Sequence, residues 1–266
     1  MLSPLALLLA HVCASQPVCP SLQGGPHESG PDLTQAELAS AVEAEPSDGW
    51  RHSLALYFLA AGLDGESTIK GLDADVDVSF SDIWDHLEAG AMLAYRAESQ
   101  RYALTLDLIY MGLAGEKDKG PLSTDVELDE LVVEVDGCLR VNPRTDVLVG
   151  ARYWGLDGEL EISGPGSGQS ADGQESWVDP LVGARHTLPF SENLSLTVRG
   201  DVGGFGLGSD FSWQALARLN WDISSAVTLT AGYRVVDVDY SDGSGSDEFR
   251  YDVMTSGVLA GLILNF

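Results

Sequence analysis

The sequence predicts an all-β fold, a closed antiparallel transmembrane β-barrel of about ten strands, or of eight or twelve where one hairpin is merged or split. Three observations predict it. From Trp50 to Phe266 apolar and polar residues alternate with a period of two. Along the same stretch short and long connections alternate, as they do when strands run up and down through a bilayer. No apolar run is long enough for a transmembrane helix, and a closed barrel is the other structure that pairs every backbone polar group inside lipid.

Composition agrees with this class. The chain has 266 residues, 44% hydrophobic and 21% charged, with a mean hydropathy of +0.03. Such a value suits a barrel because only alternate side chains face hydrocarbon. The net charge is −27, from 41 acidic and 14 basic residues. That excludes a nucleic-acid partner, which needs basic surface, and argues against attachment to an anionic lipid surface through charge. The acid either solvates external loops or favours cations at the rim or in the lumen.

The elements follow in order. Residues 1–14 read as a signal peptide, with the apolar run Leu5 to Ala10 and then Val12-Cys13-Ala14. The contexts of Cys13 and Cys19 do not form a lipobox, so a lipid anchor is not expected. Residues 15–48, rich in Gly, Pro, Ser and acid, read as a flexible periplasmic tail with one short amphipathic helix over Thr34 to Ala44. The barrel occupies 49–266. Its first strand covers 50–62 and runs outward. An insert over 63–86 follows, with an extended piece from Ile69 to Phe80 and a helical piece from Ser81 to Leu87. The next strand, 87–98, returns inward.

Thereafter the outward-facing sets are Leu104, Leu106, Leu108 and Tyr110; Leu131, Val133 and Val135; Val147, Val149, Ala151 and Tyr153; Leu194, Leu196, Val198 and Val202; Trp213, Ala215, Ala217, Leu219 and Trp221; and Val227, Leu229, Ala231, Tyr233 and Val235. In the last strand Val258, Ala260, Leu262, Leu264 and Phe266 share one face. Short turns are expected near Glu98 to Arg101, Asn142 to Thr145, Pro189 to Asn193 and Ile223 to Ala226. Longer external loops are expected near 115–125, 163–175, 203–210 and 241–248. Tyr102, Trp221 and Phe266 at one end, and Tyr110, Tyr153, Trp213 and Tyr233 towards the other, suit two interfacial aromatic belts.

Ten strands tilted by about 35–45° enclose a narrow lumen. Its polar face carries Arg152, Arg185, Arg199, Arg218 and Arg234 with Asp107, Glu134, Asp136, Asp179 and Asp201. Charges in so narrow a space must pair, and Arg can bridge two carboxylates. This lumen charge network is read either as a salt-bridged core that holds the barrel or as a selectivity or solute-binding ring. In the insert, Asp73, Asp75 and Asp77 would point the same way about 7 Å apart along a strand. Three readings stay open for them: a plug docking on the lumen arginines, an exposed acidic hairpin, or a divalent-cation site.

Other patterns carry less. The run Asp237, Asp239 and Asp242 has loose calcium-loop spacing, but its third acid is one place late and no helix flanks it, so it reads as an acidic loop. The glycines from Gly203 to Gly208 lie between two alternating strands and read as a tight, closely packed hairpin rather than a nucleotide loop. The three cysteines, Cys13, Cys19 and Cys138, form no zinc pattern, and Cys138 reads as a small lumen or rim residue. Of the histidines, His27 lies in the tail, His52 at the start of the barrel, His186 near a turn, and Asp85-His86 in the insert beside Ser79 and Ser81. Nothing orients these for catalysis, so no enzyme is expected.

The terminal strand closing on Phe266 resembles the last strand of bacterial outer-membrane barrels, where it serves as an assembly signal. The stretches from Asp75 to Ile83, Trp177 to Arg185, Arg199 to Asp210 and Gly232 to Arg234 are similar to an uncharacterised group of bacterial outer-membrane β-barrel proteins, over about four fifths of the chain. The resemblance implies localisation in the bacterial outer membrane, with its lipid and the barrel assembly machinery as partners. It implies no activity. The expected molecule is a monomer without a metal site or cofactor, the divalent cation in the insert aside. It is read as a structural or narrow, porin-like pore with a partly plugged lumen. The alternatives are an adhesion or ligand-binding barrel acting through acidic external loops, and a rim hydrolase.

Overall fold

A computed structural model of the chain describes residues 49–69, 72–119, 122–164, 167–245 and 248–266. The expected signal peptide over 1–14 and tail over 15–48 lie outside the described residues. The strands are β1 (Arg51–Ile69), β2 (Leu72–Val78), β3 (Leu87–Glu98), β4 (Tyr102–Lys119), β5 (Leu122–Asn142), β6 (Thr145–Gly164), β7 (Ser167–Pro189), β8 (Leu194–Gly203), β9 (Phe211–Asp222), β10 (Val227–Asp242) and β11 (Phe249–Asn265). One helix, α1 (Phe80–His86), lies between β2 and β3.

Each strand pairs antiparallel with its neighbour, and β11 pairs with β1 from Ser53↔Asn265 to Ile69↔Phe249, which closes the sheet. The other edge of β1 is divided. Arg51 to Leu56 pair with β3, and Leu63 to Ile69 pair with β2. β2 and β3 therefore fill one position in the wall, so the eleven strands make a ten-position barrel. The four expected short turns join β3–β4, β5–β6, β7–β8 and β9–β10 at the end where Phe266 sits, the periplasmic end of such a barrel.

Side-chain direction follows the pairing register. The outward sets read from the sequence face away from the lumen, and Val149 is 63% exposed, as a lipid-facing residue should be. Above the outer aromatic positions this polarity reverses. Asp64, Glu66, Glu127, Asp129, Asp157, Glu159, Asp237, Asp239 and Asp252 face outward, while Val132, Trp154, Leu156, Trp177, Val236, Val238, Tyr240 and Val253 are buried within. The reason is solvent. A strand crosses hydrocarbon in about 9–11 residues, and β7 has 23. Beyond the lipid both surroundings change: water lies outside, and the inside can bury apolar surface as any water-surrounded core does.

This reversal corrects two expectations. The segments near 115–125 and 163–175 are for the most part continuations of β4, β5, β6 and β7 rather than loops. The insert begins later than residue 63, because Leu63 to Ile69 continue β1 with acid now on the outside. The extended and helical pieces of the insert are β2 and α1.

Helix α1 starts at a capping box. Ser79 accepts from the Asp82 amide, and the Asp82 carboxylate accepts from the Ser79 amide at 3.1 Å. Ile83 is buried inward beside Leu59, Ala61, Met92 and Met111. Phe80 and Trp84 pack outside against Phe58, with ring centroids 6.0 and 5.7 Å away. The helix covers a seam: β3 pairs with β4 only as far as Leu87↔Leu113, and among the described residues nothing pairs with that edge of β4 above it.

Candidate functional site

The centre of the lumen is a continuous lattice of polar contacts. Asp107, Glu134, Arg152 and Asp179 form one cross-strand row on β4 to β7, all pointing inward. Arg152 donates from Nε to Glu134 at 2.7 Å and from Nη2 to Asp201 at 2.8 Å. Arg199 bridges Glu134, Asp136 and Asp201 at 2.7, 2.9 and 2.9 Å. Asp201 also accepts from Gln214 at 3.0 Å, and Gln214 accepts from Arg234 at 2.8 Å. Arg234 reaches Asp107 at 3.0 Å, and Tyr57 donates to the same carboxylate at 2.7 Å. The contacts thus run from β1 to β5 across the interior. Arg152, Glu134, Asp136 and Arg234 are all buried, so each charge depends on its partners in place of water.

The wall is shaped for this lattice. Gly150 and Gly183 face inward opposite Asp136 and Asp201. A Cβ on Gly150 would lie 2.3 Å from Asp136 Oδ1, and one on Gly183 would lie 2.5 Å from the Asp201 Cβ. Only glycine lets these carboxylates lie against the backbone of the next strand.

The structure brings Arg152, Arg199, Arg234, Asp107, Glu134, Asp136 and Asp201 together. The other three expected members stand apart. Asp179 joins no arginine; it accepts from the Ser209 amide at 2.7 Å and the Ser209 hydroxyl at 2.8 Å. It thereby ties down the connection from Gly204 to Asp210, where Gly204, Phe205 and Gly206 hold positive φ. Arg185 and Arg218 enter no ion pair among the described residues and line a cavity on the periplasmic side of the lattice.

Sequence reasoning missed a second cluster at the periplasmic mouth. Glu98 binds Arg51, Arg96 and Arg140 at 2.7, 3.1 and 3.0 Å, and Asp146 binds Arg96 and Arg140 at 2.6 and 3.1 Å. Their inward parity, the same as that of Arg152, was the available signal. Tyr57 and Gln214, neutral members of the central lattice, were also missed.

The plug reading of the insert is corrected. Asp75 and Asp77 are exposed and stand opposite Glu66 and Asp64 on the outer face of the wall, away from the lumen arginines. Asp73 lies in β2, and its side chain is outside the described residues. Asp75, Glu66, Asp252 and Asp239 form a cross-strand row of four carboxylates over β2, β1, β11 and β10. Among the described residues no group of three or more His, Cys, Asp or Glu is placed to hold a metal ion.

Partial burial first, and then the neighbouring Asp252, push the carboxyls of Asp237 and Asp239 above the usual range. The folded wall therefore holds protons there more tightly than the unfolded chain does, so this part of its stability falls as pH rises. The window opens near the unfolded carboxylate value of about 3.9. Asp239→Asn is accordingly expected to slow proteolysis of the upper wall at pH 7 and to leave it unchanged at pH 3. Equal cleavage rates of variant and parent at pH 7 would contradict this.

The residues weighed for catalysis make the following contacts. His52 stacks between Tyr95 and Phe266 and shares a 2.6 Å hydrogen bond with the Tyr95 hydroxyl. His86 lies 2.7 Å from the Asp82 carbonyl, and His186 lies 2.8 Å from the Thr145 hydroxyl. Ser79 is the helix cap.

An apolar outer band, a charged lumen and short turns at the end that carries Phe266 together settle the class. The fold is a closed transmembrane β-barrel of the outer-membrane type. No family model and no curated protein matches the chain. Solved structures similar to it include the outer membrane protease OmpT from Escherichia coli, at 9% identity over 83% of this chain and 98% of that one, with a TM-score of 0.49. Ail, the attachment invasion locus protein of Yersinia pestis, is similar at 13% identity over 82% and 99%, with a TM-score of 0.37. The translocator domain of the autotransporter NalP from Neisseria meningitidis is similar at 12% identity over 84% and 90%, with a TM-score of 0.41.

Proposed function

We propose that this protein is a structural outer-membrane barrel whose lumen is sealed at mid-height and does not conduct. The carrying observation is the lattice from Tyr57 through Asp107, Arg234, Gln214, Asp201 and Arg152 to Glu134, which crosses the interior between side chains of β1, β4, β10, β9, β8, β6 and β5. Above it the stacked rings of Trp154, Trp177 and Tyr240 fill the interior with apolar surface. An ion would have to break several charge-assisted hydrogen bonds and then cross a dry aromatic layer. Planar-bilayer recordings of the purified barrel are expected to be silent at all voltages. Discrete, ion-selective openings would sink this reading and return the narrow-pore one.

A second reading has its own observation. The four-carboxylate row of Asp75, Glu66, Asp252 and Asp239 stands on a wall raised into the external medium. It supports adhesion to, or capture of, a cationic partner through the external surface. Binding of whole cells to a polycation-coated surface, compared with a strain lacking the protein, separates this reading from a purely structural role.

A further inference from the structure

Below the lattice lies a cavity of about 270 Å³. Its roof is formed by Asp107, Asp136 and Arg199, and its mouth by Asp222 and Asn265, near the periplasmic ends of β9 and β11. Nearly every charge in its lining is already answered. Arg96 is held by Glu98 and Asp146, and Arg199 by Glu134, Asp136 and Asp201. Asp107 is taken by Arg234 and Tyr57, and Asp222 accepts a 2.5 Å hydrogen bond from Thr228.

Two groups remain, Arg185 and Arg218. Among the described residues neither has an ion pair or a hydrogen bond to a protein group, and Nε of Arg218 is buried without a partner. They are close neighbours. Arg185 on β7 stands opposite Arg199 on β8, and Thr197, two residues before Arg199, stands opposite Arg218 on β9. The wall is cut away for one of them: a Cβ on Gly232 would lie 2.7 Å from the Cβ of Arg218. Two like charges in a confined space, one with a buried unsatisfied donor, are unfavourable unless an anion sits between them.

The placement runs against the composition. In a chain of net charge −27, ten of the eleven arginines belong to the central and periplasmic parts of the barrel, and only Arg250 lies on the external wall. Guanidinium groups present paired N–H donors that match the oxygens of phosphate and carboxylate.

We propose that this cavity is a periplasm-facing binding site for a compact oxyanion, held between Arg185 and Arg218. The site needs no through-channel and is independent of the sealed-lumen reading. A barrel that conducted but still bound the anion would overturn that reading and leave this one standing.

The test is calorimetric titration of the full-length barrel in detergent at low ionic strength, with inorganic phosphate in one arm and succinate in the other. Saturable binding of at least one anion at a single site is expected, weakening as salt is raised. The stronger arm tells phosphate from carboxylate chemistry. Arg185→Gln and Arg218→Gln are each expected to weaken binding at least tenfold, and Arg101→Gln, outside the cavity, to leave it unchanged. Arg185→Lys and Arg218→Lys keep the charge and so guard against misfolding. They remove the paired donors, and a several-fold loss is expected. Absence of saturable binding of both anions by the parent protein would overturn the proposal, as would undiminished binding by the Arg185→Gln/Arg218→Gln double variant.

Discussion

Arg152→Ala is expected to destabilise the barrel by about 3–5 kcal/mol, the range for removing one partner from a buried charge pair. Arg152 is among the most buried members of the lattice. It is 1% exposed and joins Glu134 on β5 to Asp201 on β8 from its own place on β6. Its removal leaves two buried carboxylates with Arg199 as their one ion-pair partner, already shared among Glu134, Asp136 and Asp201, and with neutral Gln214 as the other donor to Asp201. Water cannot easily replace it, because Glu134 is buried and Asp201 lies tight against the wall at Gly183. A cluster left with excess negative charge both repels itself and loses donors. The measurement is urea unfolding of the refolded protein in detergent, followed by the loss of the heat-shifted gel band. An unfolding midpoint equal to that of the parent would show that the lattice does not stabilise the barrel. Arg250→Ala is the contrast. Its pair with Asp252 on the outer wall is solvent-exposed, and exposed pairs contribute about 0–1 kcal/mol.

The parts of the barrel inside the membrane were legible because hydrocarbon imposes one rule on every strand. Leu104 to Tyr110, Val147 to Tyr153 and Val227 to Val235 show period-two alternation with no compensating context. Parity of the connections then gave ten wall positions. Where the outer solvent becomes water, the rule inverts and the same alternation points the wrong way. Asp237 and Asp239 therefore read as a loop although they sit on β10, and Asp64 and Glu66 read as an insert although they continue β1.

The site was legible to the same depth. Inward parity identified five lumen arginines and was not applied to Arg51, Arg96 and Arg140 at the mouth, and parity gives only a direction. Which carboxylate an arginine reaches depends on strand shear and tilt, which no local pattern encodes. Asp179 shares a row with Arg152 yet turns to Ser209 in a loop. Arg185 and Arg218 share the face of Arg199 and find no acid. Tyr57 and Gln214 carry no charge and gave no signal.

Trp177→Ala is the second large effect, and it tests the polarity reversal itself. Trp177 stacks on Tyr240 at 4.0 Å with a 7° interplanar angle, and on Trp154 at 5.9 Å. If the upper wall is a water-surrounded core, truncating this ring should cost about 3–5 kcal/mol, as for a buried aromatic in a soluble protein. The loss should also be local, because the lattice below is bound through other residues and can stay folded when the wall above opens. In liposomes, a protease added outside is expected to cut the variant within the upper parts of β6, β7, β10 and β11 while the membrane-embedded band remains protected. The outward Val149→Ala, on the lipid face, should leave the external wall as resistant as in the parent. Should Trp177→Ala prove equally resistant, the aromatic stack would be a passenger on hairpins stabilised by backbone pairing alone. The reversal of the alternation would then need another cause than burial from water.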